Sequence, residues 1–258
     1  MNDLREHVKK IISFFDELGP SRNIDEDVIL NYEQRVRRNQ LADLIERGCG
    51  FILDAGCGAG RDMIMILRAF TGEYIGVDIS LQSLLVARRR AFEENSTNRV
   101  NLIRADVNFL PFREQIFDQV LCCEVLEHIP SWRKAVRELY RVLKVRGSLI
   151  VSAPNTLSIY YPQKLYLERK YGTVHPYDQW KNTFLMKRVL KGLSLIITDV
   201  RGACILPGHI CYTKFGKKLI RPLLPLLERI ERVLCSKTPL RYFSYICIIK
   251  AVKVHSSS

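Results

Sequence analysis

The stretch that decides the fold is FILDAGCGAG, residues 51–60. Its apolar start, FIL, predicts a short buried strand. Asp54 follows the strand, and three glycines then alternate with other residues up to Gly60. Beyond Gly60, apolar residues recur at helical spacing. A strand, a glycine turn and a helix start are the parts of a nucleotide site in an α/β sheet, because a turn without side chains lets a ligand lie against the backbone.

The spacing of these glycines separates two classes of nucleotide site. A dinucleotide fingerprint reads G-x-G-x-x-G, whereas this chain reads G-x-G-x-G with an acid ahead of it. The run LDAGCGAGR resembles the first motif of the class I S-adenosylmethionine-dependent methyltransferases. A tight turn without any ligand is the alternative. The resemblance implies S-adenosyl-L-methionine as the cofactor, with its methionine end held by Asp54, Ala55, Gly56, Cys57, Gly58 and Gly60.

Two later motifs extend the resemblance. GVDIS ends the predicted second strand, and its Asp78 stands 24 places after the first acid. An acid at this tip can accept hydrogen bonds from both ribose hydroxyls, and Ile79 after it would press on the adenine ring. The alternative is a simple helix cap, a role that Ser80 already fits. RADVNFLPF resembles the next family motif, which implies Asp106 and Val107 as the adenine contacts.

The segment CEVLEHIP, residues 123–130, resembles the methyltransferase type 11-like subgroup, which includes enzymes of ubiquinone and menaquinone biosynthesis. This likeness implies that Cys123 and Glu124 lie beside the methionine part of the cofactor. His128 is a candidate general base because its free pKa lies near neutrality, and a structural role is the alternative. The P-P-Y, P-P-F or P-P-W ending found in enzymes that methylate base amines of nucleic acids is absent, which argues against that reaction.

The resemblance implies an α/β, Rossmann-like sheet of seven mostly parallel strands in the order 3-2-1-4-5-7-6, with helices on both faces. Apolar runs predict strands at 51–53, 74–77, 99–104, 117–122, 148–154, 193–200 and 241–254. Helical spacing predicts a helix after Gly60 and helices at 4–18, 25–47, 81–94, 131–144 and 181–192. We divide the chain into an N-terminal helical cap, 1–48, and a methyltransferase domain, 49–258, with substrate-side insertions at about 156–192 and 201–240.

The two insertions carry the features that concern the methyl acceptor. Residues 156–180 are rich in aromatic side chains, which either stack on a flat or apolar substrate or pack at the surface. His175 in this segment is a second candidate base. Residues 201–240 mix apolar side chains with basic ones, among them Lys214, Lys217 and Lys218. That mixture predicts either a lid over the substrate or a contact with an anionic membrane surface.

The net charge of +13 lies in the last part of the chain, because residues 151–258 hold 18 basic and 5 acidic side chains. A local excess of this kind favours an anionic acceptor, nucleic acid or a membrane surface. No apolar run reaches the roughly 18 residues that span a bilayer, and no secretory signal opens the chain. We therefore expect a cytoplasmic protein, with peripheral membrane contact as a further hypothesis.

The eight cysteines predict reduced thiols rather than a disulfide framework. Cys204, His209 and Cys211 come nearest to zinc spacing. Because they lack a paired C-x-x-C, no metal is expected.

The sequence therefore predicts a methyltransferase that uses S-adenosylmethionine. Its acceptor is expected to be a small or lipid-like, anionic molecule with an oxygen, nitrogen or carbon nucleophile. An RNA methyltransferase and a non-catalytic regulator that binds S-adenosylmethionine remain open alternatives. The glycine spacing disfavours a nicotinamide-dependent oxidoreductase. Nothing in the sequence indicates an obligate protein partner.

Overall fold

A computed structural model of the chain describes residues 9–17, 28–48, 50–173, 175–205 and 221–254. Seven strands lie within these ranges: β1 (Phe51–Ala55), β2 (Glu73–Asp78), β3 (Val100–Arg104), β4 (Phe117–Cys123), β5 (Leu143–Pro154), β6 (Leu195–Ala203) and β7 (Ile246–Lys253). They form one sheet in the order β3-β2-β1-β4-β5-β7-β6. β7 is antiparallel to β5 and β6, and the other paired strands are parallel. The predicted strand order is confirmed.

Helices cover both faces of this sheet, as the sequence predicted. Those described are α1 (residues 9–17), α2 (Val28–Ala42), α3 (Met63–Ala69), α4 (Leu81–Glu93), α5 (Trp132–Val142), α6 (Tyr161–Tyr171), α7 (Thr183–Lys191) and α8 (Leu224–Lys237). Side chains of α5 and α7 join the apolar cluster on one face. Side chains of α2, α3, α4 and α8 join the cluster on the other.

The run FIL does not alternate between apolar and polar residues, because β1 is covered on both faces of the sheet. Ile52 and Leu53 are each 0% exposed. Successive side chains of a strand point to opposite faces. Ile52 accordingly packs in the cluster that contains Met63 of α3, and Leu53 in the cluster that contains Leu139 of α5. A continuous apolar run is the expected pattern for a central parallel strand.

The boundary between α5 and β5 differs from the prediction. A helix was predicted over 131–144, with Gly147 turning the chain into the fifth strand. Instead α5 ends at Val142, and β5 begins at Leu143 and continues through Gly147. Leu143 pairs with Phe117 of β4, and the register shifts before the next pair. An apolar residue such as Leu143 suits a buried helix or a buried strand equally well, so the pairing decides.

The last strand also begins later than predicted, at Ile246 rather than residue 241. The segment Pro239–Tyr242 forms a 3₁₀ turn. Thr238 Oγ1 accepts a hydrogen bond from the Leu240 amide (3.2 Å), and Asn155 Nδ2 donates to the Tyr242 carbonyl (2.8 Å). These bonds hold the segment outside the sheet. β6 is also shifted toward the C-terminus, since it runs from Leu195 to Ala203 instead of over 193–200.

The second helix ends at Ala42, five residues before the predicted end at residue 47. The reason is a pair of bonds to β4. Gln119 Oε1 accepts from the Glu46 amide (2.9 Å), and Gln119 Nε2 donates to the Glu46 carbonyl (2.7 Å). Both backbone groups of Glu46 are thereby used outside a helix, and the chain is led into β1.

Lys253 joins β7 to the end of α5. The residue is 2% exposed. Its Nζ donates to the carbonyls of Tyr140 (2.9 Å) and Leu143 (2.8 Å) and lies 4.0 Å from the centre of the Tyr140 ring. The last carbonyls of a helix lack partners within it, so the ammonium group caps the C-terminus of α5.

Lys253→Met is expected to lower the free energy of unfolding by about 1–3 kcal/mol, because two buried carbonyls lose their donor while the side chain still fills its space. Urea denaturation measures the change. Lys191→Met, on the exposed end of α7, is the matched control and is expected to stay within about 0.5 kcal/mol of wild type. Equal stabilities of the two variants would contradict the capping role.

Candidate functional site

A cleft lies at the sheet edge where the carboxyl ends of β3, β2, β1 and β4 meet. The strand order reverses between β1 and β4, and open α/β sheets bind ligands at such a point. The cleft has a volume of about 210 Å³. Ile11 and Phe15 of α1 line it on one side. The other walls include Gly56, Gly58, Asp78, Ile79, Asp106, Val107, Glu124 and His128.

The glycine turn is fastened to the neighbouring strand. The amides of Gly56 and Cys57 both donate to the Val77 carbonyl, at 2.7 and 3.0 Å. Gly56 has φ +83°, and a Cβ there would lie 2.3 Å from a methyl of Val125. Gly58 has φ +51°, but a Cβ there would meet no atom within 4 Å. Gly56 is therefore needed for packing, whereas Gly58 presents bare backbone to open space in the cleft.

Asp78 is fixed by two backbone amides. Its Oδ2 accepts from Gly58 N (2.7 Å) and its Oδ1 from Ser80 N (2.8 Å). Burial raises the pKa of Asp78, and the backbone amides oppose that rise. The helix cap is a separate residue, since Ser80 Oγ accepts from the Ser83 amide (3.1 Å). The carboxylate is thus held beside the open face of Gly58.

Asp106 is oriented by the residue two places later. Its Oδ1 accepts from the backbone amide of Asn108 (2.8 Å) and from Asn108 Nδ2 (3.0 Å). Ser131 in turn donates to Asn108 Oδ1 (2.9 Å). The buried side chain of Val107 lines the same wall. The third strand end therefore presents an acid of fixed orientation next to an apolar side chain.

A second hollow of about 170 Å³ adjoins the cleft and holds buried charges. Arg37 of α2 is 4% exposed and binds Asp62 through two nitrogens, at 2.8 and 2.7 Å. Its Nε lies 2.9 Å from Glu124 Oε1. Neither of these two atoms has a hydrogen bond with suitable geometry. Glu124 itself has φ +57°, so the end of β4 turns sharply at this acid.

Asp54 lies in the same hollow but has a different environment. It is 5% exposed and accepts a hydrogen bond from the Tyr74 hydroxyl (2.7 Å). Burial raises the pKa of Asp54 from 3.8 to about 7, and the hydrogen bond from Tyr74 limits the rise. Burial alone would also raise the pKa of Asp62, but Arg37 outweighs it and the pKa falls.

Some of the other predicted site residues line the cleft or the second hollow, and others serve the packing of the turn. Ile79 and Val107 line the cleft, and Cys123 lines the second hollow. Ala55 is 0% exposed and lines neither space. Gly60 instead lets the turn approach α4, because a Cβ there would lie 3.0 Å from Ala87 Cβ. The thiol of Cys57 is buried against Gly76, where an added Cβ would come within 2.9 Å of its sulfur.

The two candidate bases lie close together. The ring centroids of His128 and His175 are 5.0 Å apart, and the Phe15 ring lies 5.4 Å from that of His128. His128 Nδ1 is 2.9 Å from the Tyr177 carbonyl oxygen, which only accepts hydrogen bonds. We therefore assign the proton to Nδ1 and the lone pair to Nε2, which lies 3.9 Å from Glu127 Oε1.

Residues 53–151 match the family model described as a methyltransferase domain. A demethylmenaquinone methyltransferase from Lactiplantibacillus plantarum is 28% identical over 147 residues, which make up 56% of this chain and 62% of that protein. Residues 53–151 therefore belong to the class I S-adenosylmethionine-dependent methyltransferase family. The chain matches between 41% and 64% of the length of the curated relatives, so less than two thirds of each.

Solved methyltransferase structures share the fold at low sequence identity. A methyltransferase from Thermotoga maritima, described as a possible histamine N-methyltransferase, superimposes with a TM-score of 0.68 at 14% identity and covers 93% of this chain and 99% of its own. A geranyl diphosphate C-methyltransferase from Streptomyces coelicolor, in complex with Mg²⁺, geranyl diphosphate and S-adenosyl-L-homocysteine, gives 0.65 at 17% identity, covering 96% and 98%.

Sequence reasoning missed two of the charged residues beside the cleft, the buried Arg37 and its partner Asp62. On α2, Arg35 pairs with Glu228 of α8 (2.8 Å), and Tyr32 is buried in the core. The important arginine is Arg37. Asp62 directly after the glycine motif was the one available signal, since a buried acid there needs a cation.

Asp54→Asn tests the raised pKa of the first motif acid. Between about pH 4 and about pH 7 the unfolded chain releases this proton while the folded chain keeps it, so wild-type stability falls as pH rises. The substituted amide does not titrate, and its oxygen still accepts the Tyr74 bond. The stability of D54N relative to wild type is expected to increase across this range by about 1.4 kcal/mol per unit of pKa shift, as measured by urea denaturation.

Asp62→Asn is the control, because the pKa of Asp62 is shifted in the opposite direction. The lowered pKa of Asp62 contributes stability above the unfolded value of 3.8, which is lost only in more acidic solution. From about pH 5 to about pH 8 the D62N difference is therefore expected to change less than the D54N difference, since it retains only the effect of the lost Asp62 charge on Asp54. A D54N difference that does not change with pH would show that Asp54 titrates normally.

Proposed function

We propose that the chain binds S-adenosylmethionine in the cleft and transfers the methyl group to a small-molecule acceptor. The observation that carries this proposal is the carboxylate of Asp78, held by the amides of Gly58 and Ser80 at the tip of β2. Beside it, the open space at Gly58 accommodates a group lying against the backbone. An acid at this position is suited to two ribose hydroxyls.

The remaining contacts follow from the same wall. In this proposal, Asp106 and the Val107 amide hold the adenine, and Ile79 packs against its ring. Asn108 supports this role because it fixes the orientation of the Asp106 carboxylate. The open edge of the cleft is lined by Ile11 and Phe15, which supports the division of the chain into an N-terminal cap, residues 1–48, and a domain beneath it.

The second hollow suits the methionine end of the cofactor. An amino acid carries one carboxylate and one ammonium group. Arg37 and Glu124 both line this hollow, and Arg37 Nε lies 2.9 Å from Glu124 Oε1 without a hydrogen bond of suitable geometry. We assign Arg37 to the carboxylate and Glu124, with Asp54, to the ammonium. The backbone around Cys57 would complete the turn, and Cys123 the far wall.

The residues of the chain mainly position the reactants. When bound, S-adenosylmethionine supplies a methyl group on a sulfonium, which is already a strong leaving group. Holding donor and acceptor in line therefore provides most of the required catalysis. His128 remains a candidate base, because the Tyr177 carbonyl directs its lone pair to Nε2. A base is needed only if the acceptor must lose a proton before it reacts.

Two relatives support a small-molecule acceptor, since their names refer to demethylmenaquinone and geranyl diphosphate. The anionic or lipid-like character of the acceptor stays a prediction. Three of the basic residues behind this prediction, Lys214, Lys217 and Lys218, lie outside the described residues, as do His209 and Cys211 of the zinc alternative. No helix in the described ranges is long and apolar enough to cross a membrane. Cytoplasmic location and membrane contact stay predictions.

Isothermal titration calorimetry with S-adenosylmethionine tests the proposal. Asp78→Ala is expected to weaken binding about 100-fold, because two hydrogen bonds to a charged group are lost and the turn is loosened. Asp199→Ala, which removes an acid of β6 that pairs with Arg201, is the control and should bind like wild type. NADH is expected not to bind. Failure of wild type to bind S-adenosylmethionine would overturn the proposed function.

A further inference from the structure

A third cavity, of about 530 Å³, lies beside α6 and is lined by aromatic rings and acids. We call it the α6 cavity. Its aromatic wall includes Tyr160, Trp180 and Tyr245, and its carboxylates are those of Glu33, Glu168 and Asp178. Among the described residues that line it, Lys164 is the one lysine or arginine. The aromatic segment of the first insertion therefore forms a cavity wall as well as surface.

The aromatic rings support one another at fixed angles. Trp180 and Tyr245 meet edge to face at 5.1 Å, and Tyr160 and Tyr245 do so at 6.2 Å. Rings packed this way keep their orientation, so their faces can serve as a preformed contact for a ligand. The Nζ of Lys164 lies 5.6 Å from the centre of the Trp180 ring. One wall of the cavity thus already accommodates an ammonium group over an aromatic face.

Among the described residues of the lining, acids outnumber bases. Lys164 pairs with both Glu168 and Asp178, and Glu33 is a third carboxylate. Burial strongly raises the pKa of Tyr245, and the nearby carboxylates of Glu124, Glu33, Glu127 and Asp178 raise it further.

The α6 cavity adjoins the cofactor cleft. His175 lines the cavity, His128 lines the cleft, and their ring centroids are 5.0 Å apart. Phe15 lines the cleft and its ring is 6.4 Å from that of His175. Glu124, which faces the second hollow, is close enough to Tyr245 to influence its pKa. A molecule in the cavity is therefore next to the region assigned to the methionine end.

We propose that the α6 cavity is the acceptor site and that it selects an amine attached to an apolar or aromatic body. Aromatic faces and carboxylates together bind an ammonium group, whereas they repel a carboxylate or phosphate. The inference rests on the proposed function and narrows its nucleophile to nitrogen.

The transfer balances with one proton released. The bound ammonium first gives a proton to water and exposes its nitrogen lone pair. That pair forms the N–C bond as the S–C bond breaks, and the electrons of the broken bond stay on sulfur. The products are a methylated ammonium and S-adenosylhomocysteine.

Matched probes distinguish an amine site from an anion site. Phenethylamine is compared with 3-phenylpropionate, and tryptamine with indole-3-propionate, by calorimetry on the full chain saturated with S-adenosylhomocysteine. Each amine is expected to bind at least about tenfold more tightly than the carboxylate of the same ring system. Equal affinities, tighter binding of the carboxylates, or no binding of either amine would overturn the inference.

Two variants connect this preference to the cavity. Glu33→Gln and Asp178→Asn are each expected to weaken amine binding about tenfold and to leave S-adenosylhomocysteine affinity unchanged. Glu228→Gln, which removes an acid of α8 that pairs with Arg35 outside the cavity, is the control. Unchanged amine affinity in variants that still bind S-adenosylhomocysteine would overturn the inference.

A failure of the proposed function can be distinguished from a failure of the amine-site inference. If the chain did not bind S-adenosylmethionine or its product, the cofactor assignment would fall, and the same amine and carboxylate titrations on the free chain would still measure the selectivity of the cavity.

Discussion

The cleft depends on one carboxylate that joins two turns. Asp78 accepts the Gly58 amide from the turn after β1 and the Ser80 amide from the start of α4. Because β1 and β2 are adjacent and parallel, both turns leave the sheet at the same edge. The bonds hold the acid in place before any ligand arrives, so little ordering remains to oppose binding.

The buried charges beside the cleft make α2 part of the site. Arg37 enters from that helix and is neutralised by Asp62 at the start of α3, so separating the helix from the sheet would expose or strand a charge pair. Removing one partner of such a pair is costly because the other stays buried without compensation. Asp54 and Asp62 illustrate how local the effect is. A direct bond to the Arg37 guanidinium lowers the pKa of Asp62. Burial raises the pKa of Asp54, whose hydrogen bond comes from a hydroxyl group.

The features of the fold that depend on a few neighbouring residues were predictable from the sequence. Several residues named from the glycine spacing and from the acids at the strand ends line one cleft, and family resemblance supplied the strand order. The errors concern element boundaries that are determined by residues distant in the chain. The end of α2 depends on Gln119, which is 73 positions from Glu46, and the start of β7 follows a segment held by Asn155. Arg37 was missed for the same reason, since its partners Asp62 and Glu124 are remote in the chain.

Net charge and cavity charge lead to different expectations about the acceptor. The positive excess belongs to the last part of the chain, but several of its described basic groups stabilise the fold: Arg201 and Arg232 pair with Asp43, and Lys253 caps α5. Charges used in this way contribute to the distant field, which salt screens within about 10 Å, rather than to a pocket. A bound acceptor instead meets the groups that line its cavity. The carboxylates that line the α6 cavity are therefore better evidence on the acceptor than the net charge of the sequence.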